Sequence, residues 1–150
     1  MKEYDVVIFG ATGFTGQWVV REFNSYATDL KWAIVGRNEG RLERVKTENN
    51  LNADILIADI SVDETVENVC KNAKLVVNCT GPYRLLGETV VENCVKSGSD
   101  YLDLCGEPEF IEAMEMKVNI IFLGITGKMF LGVAYIRNFS SAVKFLPNEV

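Results

Sequence analysis

Gly10-Ala11-Thr12-Gly13-Phe14-Thr15-Gly16 is the stretch on which the reading of this chain turns. Glycine recurs at every third position, in the pattern G-x-x-G-x-x-G. The apolar run Val6-Val7-Ile8-Phe9 stands directly before it, short and partly β-branched, and reads as a buried strand. After it, Val19, Val20, Phe23 and Ala27 recur at helical spacing, so a helix opens near Phe14. The glycines therefore occupy a strand-to-helix turn. Gly10 permits a tight exit from the strand, Gly13 lets backbone N–H groups approach a ligand, and Gly16 lets the helix lie close to the sheet.

Outward from this turn the same unit repeats. Trp32-Ala33-Ile34-Val35 is a second buried run, closed by Gly36-Arg37, and Asn38 can cap a helix carrying Leu42 and Val45. Asp54 to Asp59 is a third strand. Ser61-Val62-Asp63-Glu64 has the spacing of a capping box and predicts a helix through Val66, Val69 and Cys70. Lys74 to Cys79 is a fourth strand, followed by a helix over Gly87 to Lys96 with Gly98 just past its end. Tyr101 to Leu104 is a fifth strand, and Glu107-Pro108-Glu109 marks another helix start. Short apolar strands alternating with amphipathic helices predict an α/β fold. Its form is a doubly wound parallel sheet of the Rossmann type, with helices on both faces.

In that setting the glycine turn is a phosphate cradle. A helix N-terminus carries unpaired N–H groups and partial positive charge, and a pyrophosphate suits both. The competing reading is a purely structural turn. The end of the second strand bears on which dinucleotide would bind. A chain that takes NAD commonly places an acid there for the ribose 2′-hydroxyl; here Arg37 stands instead, a permanent cation that forks onto phosphate. NADP is therefore preferred over NAD, although Glu39 lies close by. Asp59 can accept from an adenine amino group or can lead into a helix. Gly81, Pro82 and Tyr83 follow the fourth strand, where the nicotinamide half would lie.

Composition narrows the chemistry. The 150 residues carry 15 basic and 21 acidic side chains and no histidine. Net charge of −6 disfavours nucleic-acid binding, which needs a basic surplus. Without imidazole there is no Ser-His-Asp triad, Cys-His pair or His-ligated zinc. Cys70, Cys79, Cys94 and Cys105 lack C-x-x-C spacing, so a metal site is not expected and reduced, mostly buried thiols on the cytosolic side are. No Tyr is followed by Lys four residues on, so a Tyr-x-x-x-Lys reductase pair is absent from the sequence. Asp103 and Glu107 stand as a carboxylate pair near the cleft or as capping, solvated acids. The short apolar N-terminal run, flanked by acids, does not read as a secretory signal.

Four elements together resemble one family. They are the glycine turn, Val35-Gly36-Arg37, Asn78-Cys79-Thr80-Gly81-Pro82-Tyr83, and Asp103-Leu104-Cys105-Gly106-Glu107-Pro108. In order and spacing they look like the N-terminal domain of saccharopine dehydrogenase-like oxidoreductases, over roughly residues 4–117. The resemblance implies a nicotinamide-dependent oxidoreductase domain. Gly10, Ala11, Thr12, Gly13, Phe14, Thr15 and Gly16 would contact the cofactor, with Arg37, Asp59 and Gly81 to Tyr83 lining the site. It implies no catalytic residue. It also points to a setting on the cytoplasmic side, at lipid droplets, mitochondria or membranes, and through relatives to glycolipid synthesis.

The final stretch departs from the family. Residues 1–117 carry 12 basic and 20 acidic side chains, residues 118–150 three and one. The expected division is a dinucleotide-binding domain over 1–117 and a divergent apolar tail over 118–150. The tail reads as a sixth strand starting near Val118 and then an irregular segment. Ile120 to Ile136 is too short for a membrane span and holds Lys128. The family's G-F-D-S-I-P-type segment and second domain are missing, so a truncated or alternatively spliced product is expected. Two functions stand side by side: the cofactor domain of an oxidoreductase, and a nucleotide-binding or interaction module without turnover.

Overall fold

The computed structural model describes residues 1–121 and 129–130. Strands and helices alternate throughout: β1 (Tyr4–Phe9), α1 (Phe14–Tyr26), β2 (Trp32–Gly36), α2 (Glu39–Glu48), β3 (Asp54–Ile57), α3 (Asp63–Lys71), β4 (Ala73–Asn78), α4 (Tyr83–Ser97), β5 (Asp100–Asp103), α5 (Pro108–Ile121) and β6 (Met129–Phe130). The strand order is β3-β2-β1-β4-β5-β6, and every pairing is parallel. This is the doubly wound parallel sheet that the alternating pattern predicts.

Strand alternation builds two cores. Val6 and Ile8 of β1 join Trp32 and Ile34 of β2 in packing against Val19, Val20 and Phe23 of α1 and Leu42 and Val45 of α2. Val7 and Phe9, with Ala33 and Val35, face Val66 and Val69 of α3, Val90 and Val91 of α4, and Phe110 and Met114 of α5. Successive side chains point to opposite faces, so a strand covered on both sides is apolar at every position. That is why β1 and β2 read as continuous apolar runs.

The topology fixes where a ligand belongs. The chain winds from β1 outward to β3, then returns to the other side of β1 and winds outward through β4 and β5. The direction reverses between β1 and β4, and the carboxyl ends of those two strands bound a crevice. Gly10 ends β1 there, and Cys79-Thr80 leaves β4 beside it.

Several local expectations hold and others shift. Asn38 caps α2 as expected, its Oδ1 accepting from Arg41 N–H at 2.9 Å. Gly98 closes α4 in the left-handed conformation, φ 62°. Ser61 does not cap α3. Its N–H and hydroxyl both donate to the Asp59 carboxylate, at 3.0 and 2.7 Å, which holds Ser61 in the turn before the helix, and the helix begins at Asp63 with Val62 in the capping position. Helix α4 begins at Tyr83, four residues ahead of its expected start at Gly87. Gly87 instead lies inside the helix because Phe110 of α5 packs there; a Cβ on Gly87 would lie 2.5 Å from the Phe110 ring.

Helix α5 also exceeds its expected end at Lys117, continuing to Ile121. A strand therefore does not begin at Val118: residues 118–121 continue the helix. A two-residue strand lies further on, with Tyr101 paired to Met129 and Leu102 to Phe130. The Ile120 to Ile136 segment falls mostly outside the described residues, as does the irregular segment expected after it. Among the described residues no helix is long and apolar enough to cross a membrane.

Candidate functional site

The glycine turn is shaped by contacts that admit no side chain. Gly10 has φ 78°, and a Cβ there would stand 2.9 Å from both the carbonyl carbon and oxygen of Cys79. Gly16 is tighter still: its Cβ would fall 2.0 Å from the Gly10 carbonyl oxygen. Real contacts between such atoms sit at about 3.5 Å or more, so both positions require glycine. Gly13 N–H donates to Gly10 C=O at 2.9 Å, which folds the loop back and leaves Gly13 as the residue that opens α1.

Helix N-termini differ in a way that selects one of them for an anion. No side chain caps α1, and its first turn holds no acid. Asn38 occupies the start of α2. Asp63 and Glu64 crowd the first turn of α3 with negative charge. The first amides of α4 are taken by a carboxylate: Tyr83 N–H and Arg84 N–H donate to Glu107 Oε1 and Oε2 at 2.8 and 3.1 Å. Among these four helices, α1 alone presents amides that neither a side-chain cap nor an acid engages. Unpaired N–H groups and the positive end of the helix dipole make that point the natural seat of a phosphate.

The predicted residues distribute around this edge as follows. Ala11 and Gly16 are buried beneath the loop, Thr12 is half-buried, and Gly13, Phe14 and Thr15 are exposed. Phe14 is 86% exposed, so its ring stands in solvent while its backbone belongs to the helix start. Arg37 is exposed at the end of β2 and lies near Asp59. The Asp59 carboxyl is held below its ordinary range, first by Ser61 N–H and hydroxyl and then by the Arg37 charge. The two therefore neighbour one another at the ends of β2 and β3. Gly81 and Pro82 are exposed beyond β4, joined by a cis peptide bond.

Tyr83 is placed differently from its neighbours. Its side chain is 8% exposed and turned into the protein, its hydroxyl donating to Asn78 C=O at 3.0 Å and accepting from Leu104 N–H at 3.3 Å. Burial pushes that phenol well above the usual tyrosine range. With its N–H bonded to Glu107 and its hydroxyl engaged twice, Tyr83 works as a tie between the ends of β4 and β5.

Beneath the loop lies a polar cluster whose members the sequence names separately, Asn78 in a family element and Asp103 in a carboxylate pair, without bringing them together. Asn78 is fully buried; its side chain donates to Tyr101 Oη at 3.1 Å and accepts from Thr80 N–H at 3.0 Å and from the Thr80 hydroxyl. Asp103, also fully buried, accepts from Cys105 N–H at 3.0 Å. Cys79 sits nearby with its thiol pushed up to about 12, chiefly by burial and then by the Asp103 charge. The available signal was an asparagine closing an otherwise apolar strand and an aspartate closing the next, each of which needs a partner when buried. The Asp103–Glu107 pair resolves into separate duties, with Glu107 engaged as a helix cap.

An open depression of about 640 Å³ adjoins this region, lined by Pro82, Arg84, Gly106, Glu107, Pro108 and Glu109. It lies where the exits of β4 and β5 meet, next to the stretch expected to face a nicotinamide.

Residues 6–119 match the family described as the saccharopine dehydrogenase NADP-binding domain. The chain belongs to that family. It is 36% identical to the saccharopine dehydrogenase-like oxidoreductase of Mus musculus, in an alignment covering 91% of this chain and 38% of the relative. A probable mitochondrial saccharopine dehydrogenase-like oxidoreductase of Arabidopsis thaliana is 44% identical, covering 75% of this chain and 27% of the relative. The lipid droplet localized protein of Caenorhabditis elegans is 40% identical, covering 78% and 30%. Among solved structures, apo saccharopine dehydrogenase (L-Glu forming) from Saccharomyces cerevisiae aligns with TM-score 0.62 at 17% identity, over 84% of this chain and 26% of that one. That likeness is one of fold. The chain spans about two-fifths of the length of the mouse relative, and less of the other two. Dinucleotide binding and the NADP assignment accordingly rest on the family of the domain itself, and the glycine turn has the free helix start that such binding needs.

Proposed function

We propose that this chain is the cofactor half of an NADP-dependent oxidoreductase. In this reading the pyrophosphate lies on the start of α1, in the cradle of Gly10, Gly13 and Gly16. Arg37 takes the 2′-phosphate, Asp59 borders the adenosine, and Gly81 with Pro82 bounds the nicotinamide half. When bound, the cofactor supplies a hydride; the chain's own residues bind it, orient it and set its 2′-phosphate preference. The observation that carries the reading is the uncapped, acid-free start of α1 beside glycines whose Cβ positions are filled by backbone.

Titration of the purified chain with NADPH, followed by fluorescence, tests this. Saturable binding is expected in the wild type, and its loss in Gly13→Val with the far-ultraviolet circular dichroism unchanged. Retained binding in that variant would place the phosphates elsewhere.

The substrate and the hydride step belong to the whole protein and are proposed only by class. The lipid droplet relative supports a lipid-associated setting, and the plant relative supports a mitochondrial one. A second reading, nucleotide binding without turnover, is favoured by one observation: the Glu107 carboxylate near the cleft is occupied as a cap. Single-turnover hydride transfer to a carbonyl or imine substrate separates the two.

A further inference from the structure

Glu107 joins two loops that the sequence separates by more than twenty residues. Its carboxylate accepts Tyr83 N–H at 2.8 Å and Arg84 N–H at 3.1 Å, so both oxygens are engaged at the start of α4. Pro82, in the capping position of α4, supplies no side-chain cap of its own. The same residue starts the next helix, for its backbone carbonyl accepts from Phe110 N–H and Ile111 N–H at 3.1 and 3.2 Å. Its N–H in turn donates to Cys105 Sγ at 3.2 Å, and Cys105 N–H to Asp103. One residue therefore ends the β5 loop, opens α5 and caps the start of α4.

We propose that Glu107 is the positioning residue of the nicotinamide-facing loop, clamping Thr80–Pro82 to the exit of β5 in the shape that receives that half of the cofactor. The proposal rests on the NADP-site reading above. Two physical arguments carry it. A carboxylate bonded to two N–H groups at a helix start is held by charge-assisted bonds and by the helix dipole, which makes the clamp stiff. The carboxylate also fills the start of α4, so phosphate is directed to α1 and the β4 exit is left for the uncharged face of the dinucleotide. Tyr83 adds a second tie through its hydroxyl to Asn78 C=O and from Leu104 N–H, but Asn78 and Leu104 lie within the sheet's end. Glu107 bonds the backbone directly after Pro82, where the loop enters α4, and it lines the open depression next to it.

The test compares wild type, Glu107→Gln and Glu107→Ala by calorimetric titration with NADPH and with adenosine 2′,5′-bisphosphate, which lacks the nicotinamide. Glu107→Ala is expected to weaken NADPH at least tenfold while leaving the bisphosphate within twofold. Glu107→Gln keeps one acceptor and is expected to recover part of that loss. If the alanine variant does not fold, the glutamine variant carries the comparison, with a three- to fivefold loss for NADPH alone. Equal weakening of both ligands, or no change in either, overturns the positioning role. A wild type that binds neither ligand overturns the nucleotide-site reading and this proposal with it.

Discussion

Gly10→Ala puts a single methyl group where the structure holds β1 and β4 together. Two costs add. Gly10 sits at φ 78°, and an L-residue there costs about 1–2 kcal/mol. The new Cβ would also stand 2.9 Å from the Cys79 carbonyl carbon and oxygen, backbone atoms of the strand exit beside it. Relieving that contact needs a shift of roughly half an ångström or more at a packed position, an overpacking cost of about 1–3 kcal/mol. The sum is about 2–5 kcal/mol, equivalent to a drop of about 6–15 °C in Tm at about 3 °C per kcal/mol for a chain of this size. Thermal melts by circular dichroism measure it. Gly40→Ala is the control. Gly40 lies in α2, and its added Cβ meets Asn38 Oδ1 at 3.7 Å, an ordinary contact. That variant is expected to gain about 0.4–1 kcal/mol. If Gly10→Ala melts within 2 °C of wild type, the close approach of the turn to β4 is wrong, and so is the crevice built on it.

Two further predictions follow from titration and from thiol chemistry. The Asp5 carboxyl is held below its ordinary value first by Lys74 Nζ at 2.8 Å, with Lys31 N–H at 2.9 Å adding to it. Its folded pKa is depressed, so its contribution is complete above about pH 4 and lost as pH falls through the lowered value, with a size of at most about 1 kcal/mol. Urea melts of wild type and Asp5→Asn should differ by a constant above pH 5 and converge below pH 4; a difference that grows on acidification contradicts the pairing. For Cys79, a thiol pushed up to about 12 leaves little thiolate at pH 8. Its alkylation by iodoacetamide, read by peptide mass spectrometry, should be more than tenfold slower in the folded chain, where the residue is half-buried, than in urea. A rate within tenfold of the unfolded one would mean that Cys79 is not shielded as described.

The fold was legible because its signals were local. Buried parallel strands have to be apolar on both faces, and the runs at Val6–Phe9 and Trp32–Val35 say so without ambiguity. Gly13 and Gly16 were legible for the same reason, since both are set by the Gly10 backbone a few residues away, whereas the close approach of Gly10 to Cys79 is a fact of topology. What escaped was non-local. The start of α4 at Tyr83 depends on Glu107, whose carboxylate arrives from another loop, and nothing within Gly81–Gly87 announces it. Ser61 had the spacing of a cap but is held one residue ahead of the capping position by its two bonds to Asp59. The buried roles of Asn78 and Tyr83 follow from how β4 and β5 end side by side, a fact of topology. The extent of α5 past Lys117 escaped because Val118, Ile120 and Ile121 are β-branched and suit either helix or strand.

In the proposed site NADP lies at the start of α1 and Arg37 reads its 2′-phosphate. The most direct test is parallel titration of wild type and Arg37→Ala with NADPH and NADH. Saturable NADPH binding at least tenfold tighter than NADH is expected in the wild type, with the preference lost in Arg37→Ala because NADPH alone weakens. Binding of NADH as tight as NADPH, or an Arg37→Ala variant that keeps the preference, would contradict the proposed site.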